Sequence, residues 1–135
     1  MSHSVLIADD NLVIRQGLCE LFESEPDFVV CGDAENGKEA VEKAQDLHPD
    51  LIVLDLSMPV MNGLDAARVL TDLLPEVPVI MFSAFSEPFT ERAARSAGAK
   101  TLVSKSEHIS ILLAKARSLM PESLVNERST DFTSR

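Results

Sequence analysis

The sequence predicts an α/β fold, in which five short strands alternate with five helices around a mostly parallel sheet. Five apolar, strand-like runs recur along the chain, at residues 4–8, 28–32, 51–54, 77–82 and 101–104. Between them, and after the last, apolar residues follow the three- and four-residue spacing of a helix. The runs at 51–54 and 79–82 are apolar without interruption, which is typical of central strands buried on both faces.

The ends of the predicted helices carry recognisable residues. Each of the first three helices stops before a proline, namely Pro26, Pro49 and Pro75. We expect the fourth helix to open with Ser86-Glu87-Pro88, a capping residue followed by a proline in the first turn, and to close at Gly98. Ser106 is placed to cap the fifth helix, whose apolar face is the clearest of the five.

Length and composition fit a single domain. The chain has 135 residues and 45% of them are hydrophobic, so a core of ordinary size can form without a disulfide or a metal. We expect the domain to cover residues 1–120 and a polar, flexible tail to cover 121–135. The apolar runs are too short to cross a membrane and the first residues do not resemble a signal peptide, so we expect a cytoplasmic protein without membrane contact.

The net charge indicates which partners the protein can bind, and the cysteines and histidines indicate whether it has a metal site. The net charge of −10 disfavours contact with nucleic acid and favours cations and basic protein surfaces. Cys19 and Cys31 lack the spacing of a metal site and are expected to be reduced. The three histidines share no spacing from which a metal site could be built.

Polar residues follow four of the five predicted strands. Asp9 and Asp10 follow the first, Asp55 the third, Ser83 the fourth and Lys105 the fifth. Each has an ordinary alternative explanation, as a helix cap, a turn residue or a solvated lysine. However, ligand sites of open α/β sheets lie outside the carboxyl ends of the strands, where these groups would converge. We therefore interpret the set as one site.

The converging groups suit phosphoryl transfer. Two carboxylates about 4 Å apart repel by about 4 kcal/mol at an effective dielectric constant near 20, so three of them call for a cation. Oxygen ligands favour a hard cation, and Mg²⁺ normally completes its shell with phosphate oxygens and water. Asp55 can act as a nucleophile that forms an acyl phosphate. Mg²⁺, Lys105 and the Ser83 hydroxyl can then stabilise the phosphoryl oxygens.

At these positions the sequence resembles the receiver domains of two-component response regulators, the CheY-like family. The matching pieces are the Asp9-Asp10 pair, the stretch from Asp55 to Gly63, the Ser83-Ala84 pair, the stretch 97–99 and Lys105. The resemblance covers residues 4–120. Within it, the stretch 5–18 is most similar to receivers of LuxR/NarL-type regulators. It implies a three-layer, flavodoxin-like (βα)5 domain with strand order 2-1-3-4-5.

The resemblance also implies roles for the site residues. Mg²⁺ would be held by Asp10, Asp55 and the main-chain carbonyl of Ser57, with Asp9 assisting. Asp55 would accept phosphate from a sensor histidine kinase, a phosphotransfer protein or a small phosphodonor. Ser83 would move toward the phosphate and Lys105 would pair with it.

The implied output is a change in the surface formed by the fourth helix, fifth strand and fifth helix. This surface would bind a downstream protein that the sequence does not identify, or a second copy of the chain in a phosphorylation-dependent homodimer. Catalysis would be limited to the protein's own phosphorylation and dephosphorylation. We expect either a stand-alone receiver or the receiver half of a longer regulator.

Two residues depart from the family pattern. Leu102 stands where the family usually has an aromatic switch residue. The usual coupling between movement of the Ser83 hydroxyl and rotation of that aromatic ring is therefore in question. Ser106 follows the lysine in place of a proline that often forms a cis bond, so we expect a trans bond here. Ser57 and Phe85 occupy positions that tune the lifetime of the phosphate in the family.

Two other functions fit parts of the pattern. A phosphatase of the haloacid dehalogenase type also uses an aspartyl phosphate and Mg²⁺, but its general acid lies two residues after the nucleophile, where this chain has Ser57. An interaction module could keep the fold without the phosphorylation, and Leu102 gives that alternative some weight.

Overall fold

The computed structural model describes residues 2–85 and 87–121 of the chain. Ten elements alternate along it: β1 His3–Ala8, α1 Leu12–Glu23, β2 Phe28–Ala34, α2 Gly37–Leu47, β3 Leu51–Asp55, α3 Gly63–Leu73, β4 Val79–Ser83, α4 Pro88–Ser96, β5 Thr101–Ser104 and α5 Ile109–Leu119. All strand pairings are parallel and the strand order is 2-1-3-4-5, as predicted. The predicted tail at 121–135 lies outside the described residues, apart from its first residue.

The sheet is buried on both faces by two hydrophobic clusters. One cluster joins the sheet to α2, α3 and α4 through Leu6, Ile52, Leu54 and Met81. The other joins it to α1 and α5 through alternate strand residues and Phe22. Every residue of β3 and of β4 is buried, which explains the uninterrupted apolar runs in the sequence. The three layers hold the carboxyl ends of the strands at one edge. Within the described residues no helix is long and apolar enough to span a bilayer.

Asparagines cap the first three helices at their N-termini. The side chains of Asn11, Asn36 and Asn62 accept hydrogen bonds from the main-chain amides three residues on, at 3.1, 2.8 and 2.9 Å. Each bond satisfies an amide that the first helical turn leaves free. These caps fix where α1, α2 and α3 leave the edge of the sheet that carries the predicted site residues.

The ends of α4 agree in part with the prediction. Pro88 is its first residue, and the flanking Glu87 makes no side-chain hydrogen bond to the helix backbone. Ser86 lies outside the described residues. At the other end Gly98 has a φ of +110°, and the amide of Ala99 donates to the carbonyl of Ala94 at 3.0 Å. This is a glycine-dependent helix termination, which the sequence located correctly.

Two predicted details are wrong. Ser106 does not cap α5: its main-chain amide donates to Ser104 Oγ at 3.1 Å and the two hydroxyls lie 2.7 Å apart. His108 caps the helix instead, because its Nδ1 accepts from the amide of Ser110 at 3.1 Å. The fourth strand begins at Val79 and not at residue 77, since Val77 closes a turn by donating its amide to the carbonyl of Leu74 at 3.1 Å.

Two glycines allow the loop between β3 and α3 to pack closely. The amide of Gly37 donates to the carbonyl of Met61 at 3.0 Å, and a Cβ at this position would lie 2.1 Å from that oxygen. A Cβ on Gly63 would lie 2.2 Å from the carbonyl oxygen of Asp55. Since both obstacles are main-chain atoms, only glycine fits without moving the loop.

We expect Gly37→Ala to lower the free energy of unfolding by about 1–3 kcal/mol, because the methyl group must displace the Met61 carbonyl. Gly17→Ala is the matched control: Gly17 lies inside α1 with nothing within 4 Å of an added Cβ. That variant should gain about 0.5–1 kcal/mol from helix propensity. Urea unfolding measures both, and a Gly37→Ala protein as stable as wild type would contradict the packing described.

Candidate functional site

The carboxyl ends of β1, β3, β4 and β5 meet at one edge of the sheet. Asp55 is the last residue of β3 and pairs in register with Phe82 of β4. Ser83 ends β4 and pairs with Ser104 of β5, directly before Lys105. The strand order thus brings the predicted residues from distant parts of the chain to a common edge.

Three carboxylates cluster at this edge. Oxygen atoms of Asp9, Asp10 and Asp55 all lie within 4.8 Å of one another. Asp9 and Asp55 are only 1% and 5% exposed, whereas Asp10 is exposed to solvent. The cluster therefore has two buried charges and one side open to the solvent.

Lys105 supplies positive charge to the buried side of the cluster. Its Nζ lies 3.0 Å from Asp9 Oδ2 and 3.0 Å from Asp55 Oδ1, and 5.8 Å from the centre of the Phe82 ring. Lys105 is thus the partner of Asp9 Oδ2 and of Asp55 Oδ1 at the same time. One ammonium cannot balance two buried carboxylates, so the cluster favours an additional cation.

Burial and charge shift the titration of the central pair. Burial is the main cause that raises the pKa of Asp55 to about 6; the charge of Asp9 adds to it and Lys105 opposes it. Burial acts to lower the pKa of Lys105, but its contacts with Asp9 and Asp55 outweigh this and raise that pKa. The lysine is therefore a fixed positive charge at neutral pH.

Ser83 is fully buried beside this pair. Its hydroxyl accepts a hydrogen bond from the amide of Phe85 at 2.9 Å, and its carbonyl accepts from the amide of Lys105 at 2.7 Å. The second bond joins Ser83 to the start of the loop that carries the lysine. Phe85 itself is 53% exposed.

The loop after Asp55 forms the other wall of the site. Ser57 is exposed and lines, together with Asp10 and Asn62, an open cavity of about 540 Å³. Val60 in this loop has a φ of +69°, an unfavourable backbone conformation for a β-branched residue, and the amide of Met61 bonds to the carbonyl of Pro59. Ser57 and Asp10 thus face the same open space.

Arg15 is a site residue that the sequence analysis missed. Its Nη1 donates to the carbonyl of Asp9 at 2.7 Å and its Nε lies 2.7 Å from Asp33 Oδ2. The guanidinium therefore ties the end of β1 to the end of β2 and fixes the backbone of the acidic pair. One signal was available, since Asp33 follows the strand predicted at residues 28–32 and Arg15 lies in the first turns of α1.

The two departures from the family pattern have plain structural outcomes. Leu102 is half-buried and packs against the cluster formed with α2, α3 and α4. The bond between Lys105 and Ser106 is trans, as expected, since the described residues contain no cis peptide.

The residues at this edge fit Mg²⁺. The donors are carboxylate and carbonyl oxygens, which suit a hard divalent cation. The cluster carries three negative charges against one lysine, and two of the three carboxylates are buried. The open cavity beside Asp10 leaves room for retained water and for a phosphate.

The raised pKa of Asp55 predicts how stability depends on pH when Mg²⁺ is left out. The folded state favours the protonated acid, so wild type loses stability as pH rises from about 4 through 6. Asp55→Asn does not titrate there, and it should become more stable than wild type by about 1–3 kcal/mol at pH 7.5. Near pH 4 the difference should vanish.

Denaturant unfolding in EDTA at several pH values measures this difference. Asp72→Asn, an exposed change on α3, serves as the control and should follow wild type at every pH. A constant gap between Asp55→Asn and wild type across the range would show that the Asp55 charge carries no burial cost.

Comparison with known proteins agrees with the geometry. Residues 5–117 match the family described as the response regulator receiver domain. A protein-glutamate methylesterase/protein-glutamine glutaminase of Methanosarcina acetivorans is 44% identical over 104 residues, which are 76% of this chain and 30% of that protein. The chain therefore corresponds to less than a third of that relative's length.

Solved structures give the same result. The response regulator domain of Thermotoga maritima CheB has a TM-score of 0.83 and 33% identity, over 89% of this chain and 97% of that one. CheY in the CheX-CheY-BeF3-Mg²⁺ complex of Borrelia burgdorferi has a TM-score of 0.82 and 29% identity, over 87% and 88%. Domains of LuxR-family regulators are also similar in fold. The chain belongs to the receiver domains of two-component response regulators.

Proposed function

We propose that Asp55 is the phosphoryl-accepting residue of this receiver and that Asp9, Asp10, Asp55 and the Ser57 carbonyl hold the Mg²⁺ it requires. The observation that carries the proposal is the position of Asp55. It is a buried carboxylate between two further aspartates and the Lys105 ammonium, at the open edge of a parallel sheet.

Charge balance supports the assignment. The three carboxylates and Lys105 sum to −2, which one divalent cation neutralises. Phosphorylation replaces the single charge of Asp55 by the double charge of an acyl phosphate, so only about one negative charge is added. When bound, Mg²⁺ supplies positive charge to the phosphoryl oxygens and lowers the repulsion among the carboxylates.

The reaction needs no general base on this chain. A carboxylate oxygen of Asp55 attacks the phosphorus of a phosphohistidine, a P–O bond forms, and the P–N bond breaks as the imidazole leaves. Hydrolysis removes the phosphoryl group: water attacks the phosphorus, inorganic phosphate leaves and the Asp55 carboxylate is regenerated. In both steps Lys105 keeps its positive charge beside the reacting oxygens.

Ser83 supplies the remaining contact. Its hydroxyl is the acceptor of the Phe85 amide, so its own proton remains free for a phosphoryl oxygen. Rotation of this hydroxyl toward the phosphate would change its bond to Phe85 and hence the start of α4. This gives phosphorylation a hydrogen-bonded path toward the surface formed by α4, β5 and α5.

The partners follow from this reaction. The phosphate would come from a sensor histidine kinase or a phosphotransfer protein in the cytoplasm, and the changed surface would bind a downstream protein or a second copy of the chain. Leu102 on β5 is smaller than an aromatic ring and remains packed against the core, so the surface change would not depend on a ring rotating into a buried site. A phosphohydrolase acting on external substrates is disfavoured, since Ser57 stands where its general acid would be.

Phosphorylation by a small phosphodonor tests the assignment. With Mg²⁺ and acetyl phosphate, wild type should gain one phosphoryl group in its intact mass, and Asp55→Asn should gain none. Asp72→Asn, which keeps the site intact, should gain it as wild type does. An Asp55→Asn protein that is phosphorylated like wild type would overturn the assignment, and a wild type that stays unmodified would favour a pure interaction module.

Mg²⁺ should stabilise the folded protein, because it binds the native cluster and not the unfolded chain. At a concentration 100 times its Kd the gain is about 2.7 kcal/mol for wild type. Asp10→Asn should lose most of this gain, while Asp72→Asn should keep it. Thermal unfolding with and without Mg²⁺ measures the shift, and equal shifts in the two variants would exclude Asp10 from the metal site.

A further inference from the structure

The side chain of Lys105 must extend past β4 to contact Asp55. It follows β5, whereas Asp55 ends β3, and β4 lies between them. Neighbouring strands lie about 4.8 Å apart, so the lysine side chain has to cover most of two strand spacings. A small shift of its backbone would take the ammonium out of contact with Asp55 and Asp9. The function of Lys105 therefore depends on what fixes the loop between β5 and α5.

That loop contains no residue that is rigid by itself. Residues 105–108 are Lys, Ser, Glu and His, with neither a proline ring nor a tertiary packing contact of an apolar side chain. Residues 106–108 are exposed. Hydrogen bonds must consequently hold the loop in place.

Ser104, directly before the lysine, is the centre of these hydrogen bonds. Its amide donates to Glu107 Oε1 at 3.0 Å, and its carbonyl accepts from the Glu107 amide at 3.1 Å. Its hydroxyl accepts from the Ser106 amide at 3.1 Å and shares a hydrogen bond with the Ser106 hydroxyl. All three polar groups of a buried residue are thus bonded within the same short loop.

The lysine is therefore held from both sides. Its own amide donates to the Ser83 carbonyl at 2.7 Å, which anchors it to β4. Ser104 and Glu107 close the loop around it on the other side, and Glu107 uses its carboxylate as an acceptor for a main-chain amide and not for the lysine. Removing that acceptor would leave the buried Ser104 amide without its partner.

We propose that Ser104 and Glu107 are positioning residues that hold Lys105 against Asp55 and Asp9. The proposal rests on the phosphoacceptor role of Asp55 for its functional effect, but the placement of the ammonium can be measured independently. The required property of Glu107 is its acceptor oxygen and not its charge. This distinction separates a positioning role from a general electrostatic one.

The test compares Glu107→Ala with Glu107→Gln in the full chain. Both lose the negative charge that precedes α5, but only the glutamine keeps a side-chain acceptor for the Ser104 amide. Ser104→Ala removes the hydroxyl bonds. Ser118→Ala is its matched control, since within residues 2–85 and 87–121 that hydroxyl bonds only to the Lys115 carbonyl, on the exposed side of α5. Three quantities are measured: the phosphorylation rate with acetyl phosphate at saturating Mg²⁺, the Kd for Mg²⁺, and the NMR resonance of the Lys105 ammonium.

We expect Glu107→Ala and Ser104→Ala to slow phosphorylation about five- to tenfold without raising the Kd for Mg²⁺, since a displaced ammonium no longer competes with the cation for Asp9 and Asp55. Their Lys105 ammonium resonance should shift or broaden. Glu107→Gln and Ser118→Ala should match wild type in all three quantities. If Ser104 and Glu107 only stabilised the fold, their variants would lower the free energy of unfolding but would not slow phosphorylation selectively.

Two results would overturn the proposal: an unchanged Lys105 resonance and rate in Glu107→Ala, or a Glu107→Gln as impaired as Glu107→Ala. If wild type is not phosphorylated at all, the phosphoacceptor role fails. In that case the Lys105 ammonium resonance in the variants still shows whether Ser104 and Glu107 hold the lysine in place.

Discussion

The contact of Lys105 with Asp9 and Asp55 is the interaction on which the site depends. It joins β5 to β1 and β3 across the carboxyl edge of the sheet and partly neutralises two buried carboxylates. Without it the cluster would hold three like charges in a setting that already raises the pKa of Asp55 to about 6. The lysine compensates only one of these charges, so a place remains for a divalent cation.

The surrounding structure keeps this edge in one arrangement. Arg15 fixes the main chain at Asp9 by bridging it to Asp33. Gly37 and Gly63 let the loop after Asp55 pack against main-chain atoms that any larger residue would displace. On the far side, the hydrogen bonds of Ser104 hold the loop of Lys105. Each wall of the site is therefore set by main-chain contacts, and the charged side chains need little reorganisation before they act.

Much of the fold and the central site residues could be predicted from the sequence, because they depend on local patterns. The uninterrupted apolar runs of β3 and β4 identified the central strands, and the polar residues that end the strands identified the acidic cluster and the lysine. Gly98 marked the end of α4 because only a positive φ fits there. These features need no knowledge of contacts between distant residues.

The remaining features depend on contacts that no local pattern encodes. The bridge from Arg15 to Asp33 and the contact of Gly37 with Met61 exist only once α1 and α2 have packed. The wrong cap at Ser106 has a similar cause: Ser104 competes for the same groups, and His108 supplies an acceptor that its residue type seldom provides. The hydrogen bonds among Ser104, Ser106 and Glu107 could not be predicted from the sequence for the same reason.

Reductive trapping of the phosphorylated residue tests the central claim most directly. Borohydride reduces an aspartyl phosphate to homoserine, and tandem mass spectrometry of the digested protein then locates the changed residue. After reaction with acetyl phosphate and Mg²⁺, homoserine should appear at position 55 alone. Homoserine at position 9 or 10, or its appearance at no aspartate of a protein that has gained phosphate, would contradict the assignment of Asp55.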